Sequence, residues 1–275
     1  DSRNKDNIVA KRGALFMINL KHEVQKRGFV VAHVKTDSIK IPDATPEIIK
    51  FVMDYGKQYG YTFEHEATYD RFCLVNDAVY IAKYKDGKNA GEWTATGTQF
   101  QIPYVFKKLF SKEEIIFEDM CETKSVTSAL YLDMNEGLPD VSEQEKTVAA
   151  TVKKAKEFGI DIDISKPTGD GELDPLLEEI AKGHNYRFIG KVGQFCPIKE
   201  GCGGGLLMRE KDGKYYATTG SKGYRWLESE MVSELEKKAD IDRSYYDKRV
   251  DKAVKSISSF GDYSWFVSDD PYIAG

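Results

Sequence analysis

Asp37 stands in the string KTDS (35–38), between the apolar run FVVAHV (29–34) and the alternating SIKI (38–41). A carboxylate at a hairpin tip, held by a strand read as buried on both faces, is a rigid place from which to offer an oxygen ligand to a divalent cation. Asp is also common at turns for a plainer reason: its short side chain bonds its own backbone. Glu64 and Glu66, two apart in FEHEATYDRFCLV, would share one face of a strand with His65 on the other, either assisting a metal beside Asp37 or forming a solvated face. His22 and His33 read as helix surface and strand packing. No Ser/His/Asp triad or Cys/His pair suggests itself. Cys196 and Cys202 bracket CPIKEGC, with His184 upstream, and a zinc site can be drawn from them. The spacing matches no familiar finger or ribbon and lacks a fourth ligand, so a buried thiol and a loop thiol are the plainer reading.

A second kind of chemistry lies further along. Between Arg187 and Arg225 there are eight Lys and Arg against three acids, interleaved with Tyr215, Tyr216, Tyr224 and Trp226. Such a surface can follow phosphates while rings pack on sugars or bases. Lys191, Lys199, Arg209, Lys214, Lys222 and Arg225 are the candidate contacts. Glycines 203 to 205 would let the backbone approach a ligand closely, although the Gly-Lys-Ser/Thr of a phosphate loop is missing. The plain alternative is a mixed-charge hairpin with a mobile glycine loop.

The elements that must position these groups follow from periodicity. Residues 6 to 27 read as an amphipathic helix capped by Asp6 or Asn7, with Val9, Gly13, Phe16, Leu20 and Val24 on one stripe and Gly28 at its end. Residues 29 to 41 read as a hairpin with Thr36 and Asp37 near its tip. A second helix opens at Thr45, Pro46 and Glu47 and closes at Gly60. YTFEHEATYDRFCLV and AVYIAKY read as two further strands, joined near Asn76 and Asp77. Helix, hairpin, helix, hairpin implies one small antiparallel sheet with helices on one face, an α+β layer. Residues 89 to 141 are harder: VTSALYLDMNE is ambiguous between helix and strand. A helix from 143 to 158 with a Ser142/Glu145 capping box follows, then one starting at Asp174 and Pro175. YRFIGKVGQFCPI and a hairpin turned at Asp212 and Gly213 come next, and helices over 226–238 and 243–259 finish the chain. Boundaries fall near 88 and near 140.

Length and composition bound the rest. The chain has 275 residues and a formal net charge of -5, enough to bury one sizeable core or two modest ones, and it is not a protein that coats nucleic acid all over. Four cysteines are too few for a disulfide framework and are expected to be reduced. No run approaches the length of a membrane span, and DSRNKDN lacks the features of a signal peptide, so no membrane partner and a cytoplasmic setting are expected. A start at Asp1 suggests a piece of something longer.

The order of these features resembles the palm of family B DNA polymerases. That family's hallmark hairpin reads Asp-Thr-Asp-Ser, followed by strands that carry a Glu-bearing segment and a Lys-Lys-x-Tyr motif. Asp37 matches the second Asp of the hallmark, Glu66 and Tyr69 the Glu and Tyr of the next strand, and Tyr80 the Tyr of the last motif. KRGALFMINLKHEVQKRG, GTQFQIPYVFKKLF and FEDMCETKSV are similar to a bacteriophage branch; the likeness covers residues 1 to about 140, and CGGGLLMREKDGKYYATTGSKGYRW extends it. Lys35 replaces the first hallmark Asp, and Asp77 and Ala78 replace the paired lysines, leaving Lys83 as the nearest base.

The resemblance implies a partial palm over 1–88, a palm-to-thumb connection over 89–140 and a thumb-like DNA-contacting region over 141–275. It implies DNA-directed nucleotidyl transfer with Mg²⁺, on primer-template DNA and deoxynucleoside triphosphates, with Asp37 as catalytic metal ligand and Glu64, Glu66 and Tyr80 around it. Lys35 would offset metal charge or pair with phosphate. Two-metal transfer needs a second bridging carboxylate, which the family draws from an upstream segment absent here. The expectation is therefore a chain active only when joined to its missing N-terminal half; the alternative is a non-catalytic nucleic-acid-binding module that keeps the palm's shape.

Overall fold

The computed structural model describes residues 7–270. Helix α1 (Ile8–Lys26) begins where Asn7, in a left-handed conformation, accepts a hydrogen bond from the Ala10 N–H at 3.3 Å; Asp6, the other expected cap, lies outside the described residues. The expected stripe is buried from Phe16 onward, with Met17, Leu20 and Val24, whereas Val9 is exposed. Helix α2 (Pro46–Gln58) is capped by Thr45, whose hydroxyl accepts from the Ile48 N–H. Its Ile48 and Val52 close on α1, and each such side chain contributes about 1.5–3 kcal/mol by leaving water. A Cβ at Gly56 would lie 2.6 Å from the Phe63 ring, so glycine here is what lets Phe63 pack onto α2.

Strands β1 (His33–Val34) and β2 (Ile39–Lys40) pair antiparallel, His33 opposite Lys40. The run 29–34 is not buried on both faces, as His33 alone in it is buried. Strands β3 (Tyr69–Asn76), β4 (Val79–Tyr84) and β5 (Trp93–Ala95) form a separate three-stranded antiparallel sheet. The single sheet expected for the first four strands is thus two. Their link is a side-chain one, His33 Nε2 lying 3.2 Å from the Asp77 carbonyl in the β3–β4 turn. Residues 61–68 are not strand. The Tyr61 N–H is spent on the Gly56 carbonyl at the end of α2, and Phe63 turns into the helix core, so Glu64 and Glu66 lose the expected two-residue alternation. Two short helical turns, α3 (Thr98–Gln101) and α4 (Pro103–Phe106), and a π turn over 107–111 follow.

The chain forms two compact units, Asp1–Glu113 with Asp251–Gly275, and Glu114–Val250, where the sequence places boundaries near 88 and 140. Arg71 draws the chain's end back to the first unit, donating to the carbonyls of Trp265 (3.1 Å), Phe266 (2.9 Å) and Ser268 around helix α9 (Tyr263–Val267).

The second unit is built on a five-stranded antiparallel sheet in the order β10 (Arg225–Glu228), β7 (Tyr186–Ile198), β6 (Glu122–Asp133), β8 (Leu206–Lys211) and β9 (Lys214–Ala217). VTSALYLD, ambiguous in sequence, is strand β6 (Glu122–Asp133), central in that sheet with Leu130 and Leu132 fully buried. β7 (Tyr186–Ile198), β8 (Leu206–Lys211) and β9 (Lys214–Ala217) fall as expected. Trp226 belongs to β10 (Arg225–Glu228) and not to a helix: it exchanges two 2.7 Å backbone bonds with Gly205, which leaves only a short α7 (Ser229–Glu234) after it. Helix α5 (Ser142–Glu157) lacks the expected capping box; the Ser142 hydroxyl donates to Asp140 instead, and Val141 takes the cap position. α6 (Leu173–Lys182) starts on Asp170, which accepts from the Glu172 and Leu173 N–H groups. α8 (Ser244–Ser258) follows. The class is α+β with antiparallel sheets. Among the described residues no helix is long and apolar enough to cross a membrane.

Candidate functional site

In the first unit the chain reverses over two residues, Thr36 and Asp37, closed by the Lys35 N–H on the Ser38 carbonyl at 2.9 Å. Neither tip residue is among the positions with positive φ. Two-residue hairpins favour primed turns because unprimed ones splay the strands, and the ladder here is accordingly two residues long on each side. Lys35, Thr36 and Asp37 are all exposed. Behind them Lys40 lies with its ammonium 5.0 Å above the Tyr80 ring and 6.0 Å from that of Phe72. Partial burial holds the Lys40 ammonium below the ordinary lysine range, Lys35 adds to that, and the carboxylates of Glu66 and Asp37 oppose it.

Asp37, Lys35, Glu66 and Tyr80, four of the residues singled out in sequence, thus share the surroundings of one lysine that the sequence reading passed over. The hairpin register, with Lys40 opposite buried His33, was the signal that could have found it. Glu64 is exposed and is not among the charges acting on Lys40. Tyr69 and Phe72 extend the aromatic floor beside Tyr80, at 6.5 and 5.2 Å between ring centres; burial, then Tyr80, pushes the Tyr69 hydroxyl far up. Lys83 stands apart from this group. It is bound to Asp269 at 2.7 Å with its side chain 15% exposed, and that bond holds the Asp269 carboxyl below its usual range.

In the second unit the register of β8 and β9 sets Arg209 opposite Tyr216 and Lys211 opposite Lys214. Opposed residues share a face, as do residues two apart in a strand, so Arg209, Lys211, Lys214 and Tyr216 make one continuous cationic and aromatic face. All four are exposed, and the guanidinium of Arg209 lies 5.9 Å from the centre of the Tyr216 ring. The other face is the anchor, where Tyr215 stacks on Tyr186 at 3.7 Å and 8° and meets Tyr131 edge-on. Burial raises the hydroxyls of both Tyr215 and Tyr186. Lys214 on β9, an edge strand, also discourages edge-to-edge pairing.

The remaining basic candidates divide. Lys191 is exposed where the β6–β7 register breaks between Ser125 and Leu130, and Lys222 is exposed in the turn before β10. Lys199 donates to the Ala239 carbonyl at 2.9 Å. Arg225 is committed internally, to the Gly204 carbonyl at 2.9 Å and Asn135 at 3.0 Å. The glycine loop is closed over a carboxylate of its own chain: the N–H groups of Gly201 and Gly203 donate to Glu136 at 2.6 and 2.7 Å. Successive backbone N–H groups form such anion cradles readily, but this one already holds its anion. Glu136, 65 residues from Gly201 in the chain, left no mark in sequence spacing.

The residues from which a zinc site could be drawn have separate partners. His184 Nδ1 is 2.7 Å from the buried Asp133 carboxylate, the sulfur of Cys196 lies against that of Cys121, and Cys202 sits in the glycine loop, its carbonyl accepting from Lys237. Among the described residues no group of three or more His, Cys, Asp and Glu is placed to hold a metal ion. Comparison with protein-family models, with curated proteins and with solved structures finds no match to this chain.

Proposed function

We propose that the chain is the DNA-contacting C-terminal part of a DNA-directed DNA polymerase of family B type, with the β1–β2 hairpin and the neighbouring sheet serving as part of a palm. The observation that carries this reading is the placement of Asp37: an exposed carboxylate at the tip of a two-residue hairpin loop that also holds Lys35, with the Asp37 and Glu66 carboxylates both acting on Lys40 behind it. A carboxylate exposed at a hairpin tip fits a hard cation such as Mg²⁺, so Asp37 would hold one, with a further carboxylate supplied by the upstream half. Bound Mg²⁺ supplies charge neutralisation for the primer hydroxyl and the triphosphate. The chain's own part is then to present Asp37, to offer Lys35 to phosphate, and to grip the DNA backbone with Arg209, Lys211 and Lys214 while Tyr216 packs on sugar or base.

A second reading, a nucleic-acid-binding module without catalysis, draws on Lys40. Its ammonium neighbours both Asp37 and Glu66, and a fixed cation there competes with a metal for the same carboxylates. The two readings part on one experiment, in which the chain is mixed with an upstream polymerase half and nucleotide incorporation is followed on a primer-template. Incorporation that is lost in Asp37→Asn while DNA binding persists supports the polymerase reading. DNA binding with no incorporation in any combination supports the module. Absence of primer-template binding at low salt with Mg²⁺ present overturns both.

A further inference from the structure

Independently of any role on DNA, we infer that Cys121 and Cys196 form a reversible dithiol–disulfide pair within the second unit. Their sulfurs are 3.5 Å apart. Cys121 immediately precedes β6, whose first residue Glu122 is paired with Phe195; continuing that register by one places Cys121 opposite Cys196. Opposed residues of an antiparallel ladder have Cα atoms about 4.5–5.5 Å apart, inside the range of roughly 4.4–6.8 Å that a disulfide spans. Closing the bond therefore asks for rotation of two side chains and leaves the strands where they are.

The two thiols differ in the way such a pair requires. Cys121 is partly exposed, whereas Cys196 is fully buried. The hydrogen bond between them draws the Cys121 thiol below its ordinary range, with Lys238 helping and burial, Glu118 and Asp119 opposing. The same bond, and then burial, holds the Cys196 thiol far above it. Cys121 is accordingly the attacking sulfur and Cys196 the resolving one. With hydrogen peroxide as oxidant, the Cys121 thiolate attacks one peroxide oxygen and the O–O bond breaks. This yields Cys121 sulfenic acid and a hydroxide, which leaves as water with the proton the thiol had shed. The Cys196 sulfur then displaces the sulfenic hydroxyl, which departs with the Cys196 proton as a second water. Two thiols and one hydrogen peroxide become one disulfide and two waters, the sulfurs giving two electrons to the peroxide; an external dithiol reverses the change by exchange. The bond would tie the turn Phe117–Met120, which leads into β6, to strand β7.

The test uses the full chain treated with stoichiometric hydrogen peroxide, alkylated under denaturing conditions and mapped by mass spectrometry without reduction. The expected result is a loss of two of the four thiols and one cross-linked peptide joining Cys121 to Cys196, both reversed by dithiothreitol. A Cys73→Ala/Cys202→Ala double variant keeps the cross-link, and Cys121→Ser leaves Cys196 fully alkylated after peroxide. The inference is overturned if Cys121 and Cys196 stay alkylated in the treated native chain, if the lost thiols pair with Cys73, Cys202 or a second chain, or if Cys121 stops at the sulfenic acid. Mapping of the native chain decides among these even if a variant does not fold.

Discussion

The β1–β2 and β8–β9 hairpins each reverse the chain over two residues, Thr36–Asp37 in one and Asp212–Gly213 in the other, yet they are built in opposite ways. Asp212 and Gly213 have φ of 54° and 72°, a primed turn whose twist matches that of its strands, and β8 and β9 pair over four positions on the edge of a five-stranded sheet. Thr36 and Asp37 have no such geometry, and β1 and β2 pair over two. The first hairpin is held from outside, by packing on the α1–α2 core and by the His33 bond to the β3–β4 turn. The second is held from within, by its turn and by the stack of Tyr215 on Tyr186. A turn chosen for its conformation leaves chemistry to the strands, which is where Arg209, Lys211, Lys214 and Tyr216 sit. A turn that carries its functional group at the tip, as Asp37 would, gives up conformational preference and needs support from its neighbours.

Exchanging the turn chemistry is the strongest way to break this contrast. Replacing Thr36 and Asp37 by Asn and Gly supplies a primed turn, so hydrogen exchange at 33–34 and 39–40 should slow. In the reconstituted polymerase assay the same change should cost incorporation by about 100-fold or more, the scale of losing a group that meets developing charge. Unchanged incorporation would separate Asp37 from catalysis. Next in size, Arg209→Ala/Lys211→Ala/Lys214→Ala should weaken primer-template binding by about 10-fold or more at low salt. It should also flatten the dependence of log affinity on log salt by about 2 to 3, since each phosphate contact carries a slope of about 0.9. A parallel shift with no change of slope would mean that these three do not touch phosphate.

Smaller again, Gly213→Ala forces a side chain into a left-handed turn position and should lower stability by about 1 kcal/mol, read as a lower urea midpoint, while Asp37→Ala should leave stability within about 0.5 kcal/mol of the parent. The smallest effect belongs to Lys40→Met. The folded-state value of Lys40 lies below its ordinary 10.5, so at neutral pH both states bind the proton and the folded state bears the whole cost of partly burying it. That cost fades as pH rises through the folded value toward the ordinary one. The variant should therefore show a slightly higher Tm than the parent at pH 7, and the gap should narrow by pH 10.5.

Elements whose information is local were legible in the sequence. The caps of α1 and α2, the stripe of α1 from Phe16 onward, the run of β7 and the Asp-Gly turn of β8–β9 all follow from residues a few positions apart. β6 was not legible, because the half-buried positions of its first half include the polar Glu122 and Lys124, and its apolar end shares its pattern with a helix. The strand expected over 61–68 was lost to Phe63, whose burial against Gly56 outweighs β-propensity. Trp226 was drawn into a strand by its pairing with Gly205, a partner that no local pattern announces.

For the candidate sites the division is similar. Asp37, Lys35 and the alternating cations of β8 and β9 could be named from residue type and turn position alone, because hairpin geometry is set within about ten residues. Only the tertiary structure placed Lys40 among Asp37, Glu66 and Tyr80, closed the glycine loop over Glu136, gave Lys83 to Asp269 and set Cys121 against Cys196. Apart from the Lys40–Asp37 step within one hairpin, each of these joins groups whose spacing along the chain exceeds any local period. Charge, sulfur chemistry and backbone donors act through space at a few ångströms, and which of them meet is decided by how the sheets and helices pack.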